Sequence, residues 1–175
     1  VQTCALPISS AVEGGGSSTA IQFDSNGFTV KGTDTMVNAS GGTYIYMAFA
    51  GGMDSISDYN TDGSIDSRVK ANTTYGQSIV SYTGNGSNTT VGHGLSSAPE
   101  MMIVKDRDQD MHWFVYHTGL TNANYSLKLD NTQAEGNDST KWNGTDPTSS
   151  VFSIGTEIGV NQSGNRYIAY CWDSV

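Results

Sequence analysis

The sequence predicts an all-β fold, an antiparallel β-sandwich built as a jelly-roll-like repeat module. Short apolar or alternating runs are separated by clusters of Gly, Asn and Ser, which favour turns between strands. Residues with high helix propensity are sparse along the 175 positions. A pattern of two strands around a turn also occurs twice, and an internal repeat of this kind indicates a modular architecture.

The composition excludes several functional classes. Lys and Arg number 8 against 17 Asp and Glu, so the formal net charge is −9 and nucleic acid is not an expected partner. No apolar run approaches the ~20 residues of a membrane-spanning helix, so membrane insertion is not expected either. Because 36% of the residues are hydrophobic, the chain is not expected to be intrinsically disordered.

The first eight residues, 1–8, are expected not to be native protein. Their sequence, VQTCALPI, resembles the in-frame translation of a common short-read sequencing adapter, which would make the chain a metagenomic fragment. An ordinary flexible N-terminus is the alternative. On the adapter interpretation Cys4 is not native and Cys171 stands alone, so no disulfide framework is predicted.

The repeated pattern begins with Phe-x-Val-x-Gly in the first copy and Phe-x-Ile-Gly, one residue shorter, in the second; Val-Asn-x-Ser-Gly and Tyr-Ile-x-x-x-aromatic follow in both. It spans residues 27–49 and recurs over residues 151–172, with Tyr44 matching Tyr167 at an offset of 123 positions (167 − 44). Both copies predict two strands around a turn. Only the second copy is preceded by enough chain for a complete module, so the first copy is interpreted as the C-terminal part of a truncated repeat.

These patterns divide the chain into linkers and two unequal repeat units. After residues 1–8 we expect a Gly/Ser-rich linker at 9–20, the truncated first repeat at 21–50, an acidic linker with a strand at 51–77 and the complete β module at 78–172. A module of this length can bury a modest core without a metal or a disulfide, so we expect it to fold by itself.

The two copies also predict which face of their last strand is buried. Successive strand residues point to opposite faces, so each strand offers two sets of side chains. One set is large and apolar in both copies and is predicted to face the main core: Ile45, Met47 and Phe49 in the first, Ile168, Tyr170 and Trp172 in the second. Cys171 belongs to the other set and corresponds to Ala48, so it is interpreted as a small buried residue instead of a reactive thiol.

The middle of the chain predicts further strands. Residues 78–82 form an apolar run that ends in a turn-rich segment. Residues 101–104 are apolar on both faces and are therefore predicted to form a central strand. Residues 113–117 are rich in aromatics, and from 125 to 130 large apolar residues alternate with polar ones, which predicts one solvent-facing side.

Several ordered motifs carry a resemblance to a known group of proteins. They are YTGNG at 82–86, VGHGL at 91–95, APEMMIVK at 98–105, WNGTDPTSSVFS at 142–153 and YIAYCW at 167–172. Together they resemble a repeated module of virion and tail-fibre-like proteins of marine tailed bacteriophages, including phages of cyanobacteria. The resemblance implies a structural or adhesive role in host recognition. It also implies a place in the virion, an extracellular particle assembled in the host cytoplasm, with other virion proteins and a host surface glycan as partners.

The sharpest ligand motif is an alternation of oxygen-bearing residues before a glycine. Asp58, Asn60 and Asp62 precede Gly63, as in the first half of a calcium-binding loop. The twelfth position should hold a bidentate carboxylate, but it is Val69. A β-turn in an acidic linker is the alternative, and Ca²⁺ is a weak candidate in a chain for which no cofactor is otherwise expected.

A second group of carboxylates, Asp106, Asp108 and Asp110, follows the predicted strand at 101–104. Alternate carboxylates in an extended loop can converge on a cation, which makes these three residues a second weak metal candidate. Solvated loop charge, neutralised by neighbouring basic residues, is the alternative.

Aromatic side chains supply the candidate carbohydrate site. Trp142, Trp113 and Tyr116 could stack on sugar rings, and Trp142 is favoured because it lies in the polar loop 138–150. In a small sandwich, aromatic residues are also typical of the core.

The sequence contains no motif that indicates catalysis. It has no Gly-x-Ser-x-Gly elbow and no phosphate-binding glycine loop, and its three His lack HxH or HxxxH spacing. We therefore expect a non-enzymatic structural or adhesive module, with a carbohydrate-binding module as the alternative. A polysaccharide depolymerase is a third hypothesis, because a pair of carboxylates that meets only in the folded chain leaves no sequence spacing.

Overall fold

The computed structural model describes residues 21–31, 35–46 and 59–174, and the regular structure within these ranges is almost entirely β. The strands are β1 (Ile21–Asp24), β2 (Gly27–Val30), β3 (Tyr59–Asn60), β4 (Ser67–Asn72), β5 (Gln77–Thr83), β6 (Thr89–Gly92), β7 (Met101–Asp106), β8 (Phe114–His117), β9 (Tyr125–Lys128), β10 (Gly136–Asn137), β11 (Val151–Ile154) and β12 (Arg166–Trp172). Two single helical turns accompany them, α1 (Thr35–Asn38) and α2 (Ile158–Asn161). The predicted all-β sandwich is confirmed.

The described strands form one large antiparallel sheet and two small ones. The large sheet has the order β10-β9-β8-β7-β12-β5-β4-β3, so β12 lies between β5 and β7 near its centre. The chain leaves this sheet at β6 and again at β11, and these two strands pair with each other. Because β5 pairs with β12 while β6 pairs with β11, successive segments wrap around the core in the jelly-roll-like manner. The predicted central position of the strand at 101–104 is confirmed, since β7 is an inner strand.

The core lies between the large sheet and the β6–β11 pair. The large sheet contributes Val80, Tyr82, Met102, Val104, Phe114, Tyr116, Tyr167, Ala169 and Cys171, and the small sheet contributes Val91, Phe152 and Ile154. Burial of each large apolar side chain stabilises the fold by roughly 1.5–3 kcal/mol, which is why the two layers stay together. Cys171 is fully buried and not disulfide-bonded, as the sequence predicted.

The buried face of β12 is the opposite of the one that was predicted. Tyr167, Ala169 and Cys171 point into the core. On the other face of the large sheet Ile168 is 8% exposed, while Tyr170 and Trp172 are only half-buried. Two of the three core residues, Ala169 and Cys171, are small. They pack in the core with the large aromatic rings of the neighbouring strands and of the second layer. Side-chain size on one strand is therefore a poor guide to its buried face when the strand is central and apolar on both sides.

The alternation along β9 also faces the other way. Ser126 is buried and Leu129 is 44% exposed, although the sequence predicted a solvent-facing polar side. β9 lies one strand from the edge of the large sheet, where little of the second layer remains to cover a large side chain.

The two repeat copies agree in their first three features. β2 and β11 occupy matching positions, α1 and α2 are offset by 123 residues (158 − 35), and each turn is followed by a left-handed glycine, Gly41 at φ +76° and Gly164 at φ +85°. The agreement ends at the last strand. Tyr44, Ile45 and Tyr46 form no strand, and Ile45 is 95% exposed whereas Ile168 is buried.

Among the described strands, none pairs with the segment of the first copy that matches β12. β12 is held between β5 and β7, but no described strand pairs with residues 44–46. An isolated extended segment is not stable in water, so the same sequence pattern gives different structures in the two copies. The predicted equivalence of the last strands is therefore wrong. Met47 and Phe49 lie outside the described residues.

The large sheet begins before the predicted boundary at residue 78. β4 pairs with β5 along its whole length, and β3 pairs with β4, so part of the expected linker at 51–77 belongs to the sheet. Val69 and Ala71 on β4 also pack against the core. Residues 1–20, which include the suspected adapter translation and the Gly/Ser-rich linker, lie outside the described residues.

Candidate functional site

The three aromatic residues predicted to bind sugar lie in the interior. Trp142 is completely buried, Tyr116 is 2% exposed and Trp113 is 4% exposed. The Trp142 and Tyr116 rings meet edge to face at 6.1 Å, and the Tyr116 hydroxyl donates to Asp146 Oδ1 at 2.9 Å. None of the three presents a ring face for a sugar, so this prediction of the site is wrong. Polar neighbours in sequence suggested exposure, but the Trp142 side chain turns inward to fill the core.

The calcium-loop candidate is a close-packed turn. Asp62 N–H donates to Asn60 Oδ1 at 3.0 Å, and Asn60 Nδ2 donates to Asp62 Oδ2 at 2.9 Å, so the two potential ligands bind each other. A Cβ on Gly63 would lie 2.6 Å from the Thr90 carbonyl oxygen, which shows that glycine is needed here for close approach to β6. Asp58 lies outside the described residues.

The second group of carboxylates is also occupied by protein partners. Asp106 is fully buried and caps its own turn, because Oδ1 accepts from the N–H groups of Asp108 and Gln109. Asp108 forms an ion pair with Arg166, whose guanidinium lowers the pKa of that carboxyl. Asp110 is exposed. In the part of the chain that the structure describes, no three His, Cys, Asp or Glu side chains converge as a metal site.

The three histidines occupy three separate environments. His93 is fully buried, with Nδ1 accepting from the Leu95 N–H at 3.1 Å and Nε2 facing the Thr148 carbonyl oxygen at 3.0 Å. Nε2 therefore carries the proton of a neutral ring, and burial lowers the pKa of His93. His112 binds Asp130 and the exposed His117 accepts from a nearby backbone N–H, so the three rings form no common site.

The Val-Asn-x-Ser-Gly motif joins two neighbouring loops through hydrogen bonds of its asparagine side chain. Asn161 is fully buried, and its Nδ2 donates to the carbonyl oxygens of Ser87 and Gly155 at 2.7 Å each. Its Oδ1 accepts from the Asn85 N–H at 2.9 Å. A Cβ on Gly84 would lie 2.9 Å from the Asn161 carbonyl carbon, so that loop packs directly on the motif. The repeated motif is thus explained by folding and not by ligand binding.

An open groove lies on the other face of the large sheet, away from the core. It has a volume of about 270 Å³ and runs beside the end of β12 and the β4–β5 hairpin. Its apolar side consists of Ile79, Tyr170 and Trp172. The Tyr170 and Trp172 rings stack nearly parallel, at 18°, with centroids 6.2 Å apart. Residues two apart on a strand share a face, which places both rings on one floor.

Polar groups complete the groove. The rest of its lining includes the amides and hydroxyls of Asn72, Thr73, Thr74 and Gln77, together with Lys70. Ala71 and Ser78 also border the groove, but Ala71 packs against the core and the buried Ser78 hydroxyl donates to the His93 carbonyl oxygen. Strand register fixes their positions, because Gln77 is directly opposite Trp172 and Ile79 is directly opposite Tyr170. An apolar floor with a few polar groups at its side is typical of ligand sites.

A family comparison assigns the chain to one group. The model described as "Domain of unknown function (DUF7483)" matches residues 1–52 and 54–175. The chain belongs to this family. The two matched segments of the DUF7483 chain meet at residue 53, between the two copies of the repeated pattern and before β3. This division agrees with the sheet, in which β3 and β4 belong with the strands that follow them.

Two other comparisons gave no match, neither among curated proteins nor among solved structures. Within the described ranges of this DUF7483 chain, no helix is long and apolar enough to cross a membrane.

Sequence reasoning missed the groove of the DUF7483 chain for a definable reason. Tyr170 and Trp172 stand two positions apart in the strongest strand pattern, which is the signal of two aromatic rings on one face. That face was assigned to the core because its side chains are the larger ones. The polar side of the groove comes from the β4–β5 hairpin, which the predicted boundary at residue 78 had separated from β12.

Proposed function

We propose that this chain is a non-enzymatic adhesive module that binds glycans in the groove beside Tyr170 and Trp172. The observation that carries the proposal is the pair of nearly parallel rings on the floor of a groove lined by amides and hydroxyls. The apolar face of a sugar ring packs well on an aromatic ring, while its hydroxyl groups need hydrogen-bonding partners. The amides of Asn72 and Gln77 and the hydroxyls of Thr73 and Thr74 offer such partners.

The residues at the groove favour binding over hydrolysis. Glycoside hydrolases need two carboxyl groups on either side of the scissile bond. Among the described residues that line the groove there is no Asp or Glu. A sugar held there meets no carboxyl group among these lining residues, which supports an adhesive role over a depolymerase.

Repetition of the module supports adhesion as well. The family model matches two segments of this chain, of which only the second carries the Tyr170 and Trp172 rings, and a protein with several complete modules of that kind presents several grooves. A single open groove of this size is expected to bind weakly, but linked copies gain avidity without any new contact. Placement of these copies in a phage virion is part of the proposal and is supported by the ordered motifs between residues 82 and 172 that resemble virion proteins.

Glycan-array binding tests the proposal. The wild-type chain, displayed as a multimer to gain avidity, is expected to bind a restricted set of glycans. Trp172→Ala and Tyr170→Ala should each abolish that binding while leaving the melting temperature close to that of the control. Tyr125→Ala is the matched control, because Tyr125 is also half-buried but lies on β9, three strands from β12. Binding that survives both groove substitutions would refute the proposal.

The virion assignment has its own test. Mass spectrometry of purified particles, from a sample in which the gene is found, should detect peptides of this chain in the particle fraction. Peptides confined to the cellular fraction would contradict the assignment.

A further inference from the structure

Among the described residues that line the groove, Lys70 is the one with a charged side chain. This residue lies on β4, is exposed to solvent and stands directly opposite Ile79 in the strand register. Ile79 is in turn directly opposite Tyr170. Adjacent strands lie about 4.8 Å apart, so the backbone of Lys70 is about 10 Å from that of Tyr170, across the width of the groove. The ammonium group and the aromatic floor can therefore contact the same bound molecule.

A positive charge at this place is unusual for the chain. The net charge is −9, yet the described residues that line the groove include one Lys and no carboxylate. Several other cations are engaged within the protein: Lys105 donates to two backbone carbonyl oxygens, Lys141 pairs with Asp138, and Arg166 pairs with Asp108. Within the described ranges, the ammonium group of Lys70 takes part in none of the side-chain hydrogen bonds or ion pairs.

From this arrangement we infer that the groove selects acidic oligosaccharides, in which the carboxylate of a uronic acid faces Lys70 while a sugar ring packs on Tyr170 and Trp172. The inference rests on the proposed function and specifies its ligand class. The charge of the whole molecule opposes the approach of a polyanion, but at physiological ionic strength charges more than about 8 Å away are largely screened. The nearby ammonium therefore decides the preference once the sugar is in the groove.

Matched pairs of ligands isolate this effect. Oligogalacturonate, oligomannuronate and oligoglucuronate are each titrated as the free acid and as the methyl ester, which keeps the ring and removes the charge. Calorimetry in 0.15 M NaCl at pH 7 is expected to show at least one free acid binding about two- to fivefold more tightly than its ester, the size typical of an exposed ion pair. In 1 M NaCl, where the screening length falls to about 3 Å, the ratio should approach one.

Three variants separate the inference from the proposed function. Lys70→Gln should bring the acid-to-ester ratio to one while ester binding is kept. Lys128→Gln is the charge-matched control, because Lys128 pairs with the core-facing Phe114 and therefore lies on the opposite side of the large sheet; it should keep the ratio. Trp172→Ala should weaken the acid and the ester alike.

The outcomes distinguish the preference for acidic sugars from the proposed glycan binding itself. If acid and ester bind equally to the wild type and Trp172→Ala weakens both, the acidic preference is wrong and the proposed function stands. A preference that persists in Lys70→Gln also overturns the inference. If neither form of any of the three sugars binds, the inference falls, and the array experiment decides the proposed function independently.

Discussion

Replacing Asn161 with Ala tests whether the hydrogen bonds of the repeated motif stabilise the fold. The substitution removes a fully buried amide that reaches three backbone groups on two other loops. The Gly155 carbonyl oxygen, which is buried, would lose its amide donor. The Ser87 carbonyl oxygen and the Asn85 N–H belong to exposed residues, where water can replace part of what is lost.

The structure sets the size of this effect. A buried group left without a partner costs about 1–3 kcal/mol, and each of the two more accessible hydrogen bonds contributes about 1 kcal/mol. The free energy of unfolding should therefore fall by about 3–5 kcal/mol. For a domain of this length each kcal/mol lowers the melting temperature by about 4 °C, which gives a decrease of roughly 12–20 °C.

Urea unfolding and calorimetry measure both quantities. Asn137→Ala is the control, because Asn137 is exposed on β10 at the sheet edge and should change stability by about 0.5 kcal/mol or less. If the free energy of unfolding falls by less than about 1 kcal/mol in Asn161→Ala, the stabilising role of the motif is refuted and the repeated motif has no structural explanation.

Three further predictions concern titration, packing and the domain boundary. The pKa of His93 is lowered by burial from 6.5, so the unfolded chain binds more protons than the folded one below that pH. Stability should therefore fall as the pH decreases through 6.5, and melting curves of His93→Gln between pH 7.5 and 5 should show a smaller slope than those of the wild type. Gly84→Ala should destabilise the fold by about 1–3 kcal/mol because a Cβ there meets the backbone of the motif, whereas Gly136→Ala, with open space around it, should be close to neutral in the same urea titration. A chain of residues 59–175 should unfold cooperatively with a higher melting temperature than one of residues 78–175, which lacks two strands of the large sheet; equal melting temperatures would restore the boundary at residue 78.

The fold class was predictable because it depends on patterns along single segments. Gly, Asn and Ser clusters mark the turns, and the runs at 78–82 and 101–104 became β5 and β7. The repeated motif itself indicated the match between α1 and α2, each of which is followed by a left-handed glycine. Local chemistry decides such features, so one sequence is enough to find them.

Features that depend on partners were not predictable. The pattern of residues 44–46 is that of a strand, but a strand requires neighbours, and none of the described strands provides them. The buried face of β12 depends on which side the β6–β11 pair covers, and nothing within β12 records that side. For the same reason Trp142 was expected in the ligand site and is in the core, while Tyr170 and Trp172 were expected in the core and line the groove.

Chemical-shift mapping tests the location of the glycan site most directly. The chain is labelled with ¹⁵N and titrated with the oligosaccharide that binds best on the array. Binding in the groove predicts that shift changes concentrate at residues 70–79 and 170–172, including the Trp172 indole N–H, while the buried Trp142 indole N–H stays in place. Changes that concentrate at the loop 138–150, with the Trp172 indole unaffected, would contradict the placement of the site on this face of the sheet.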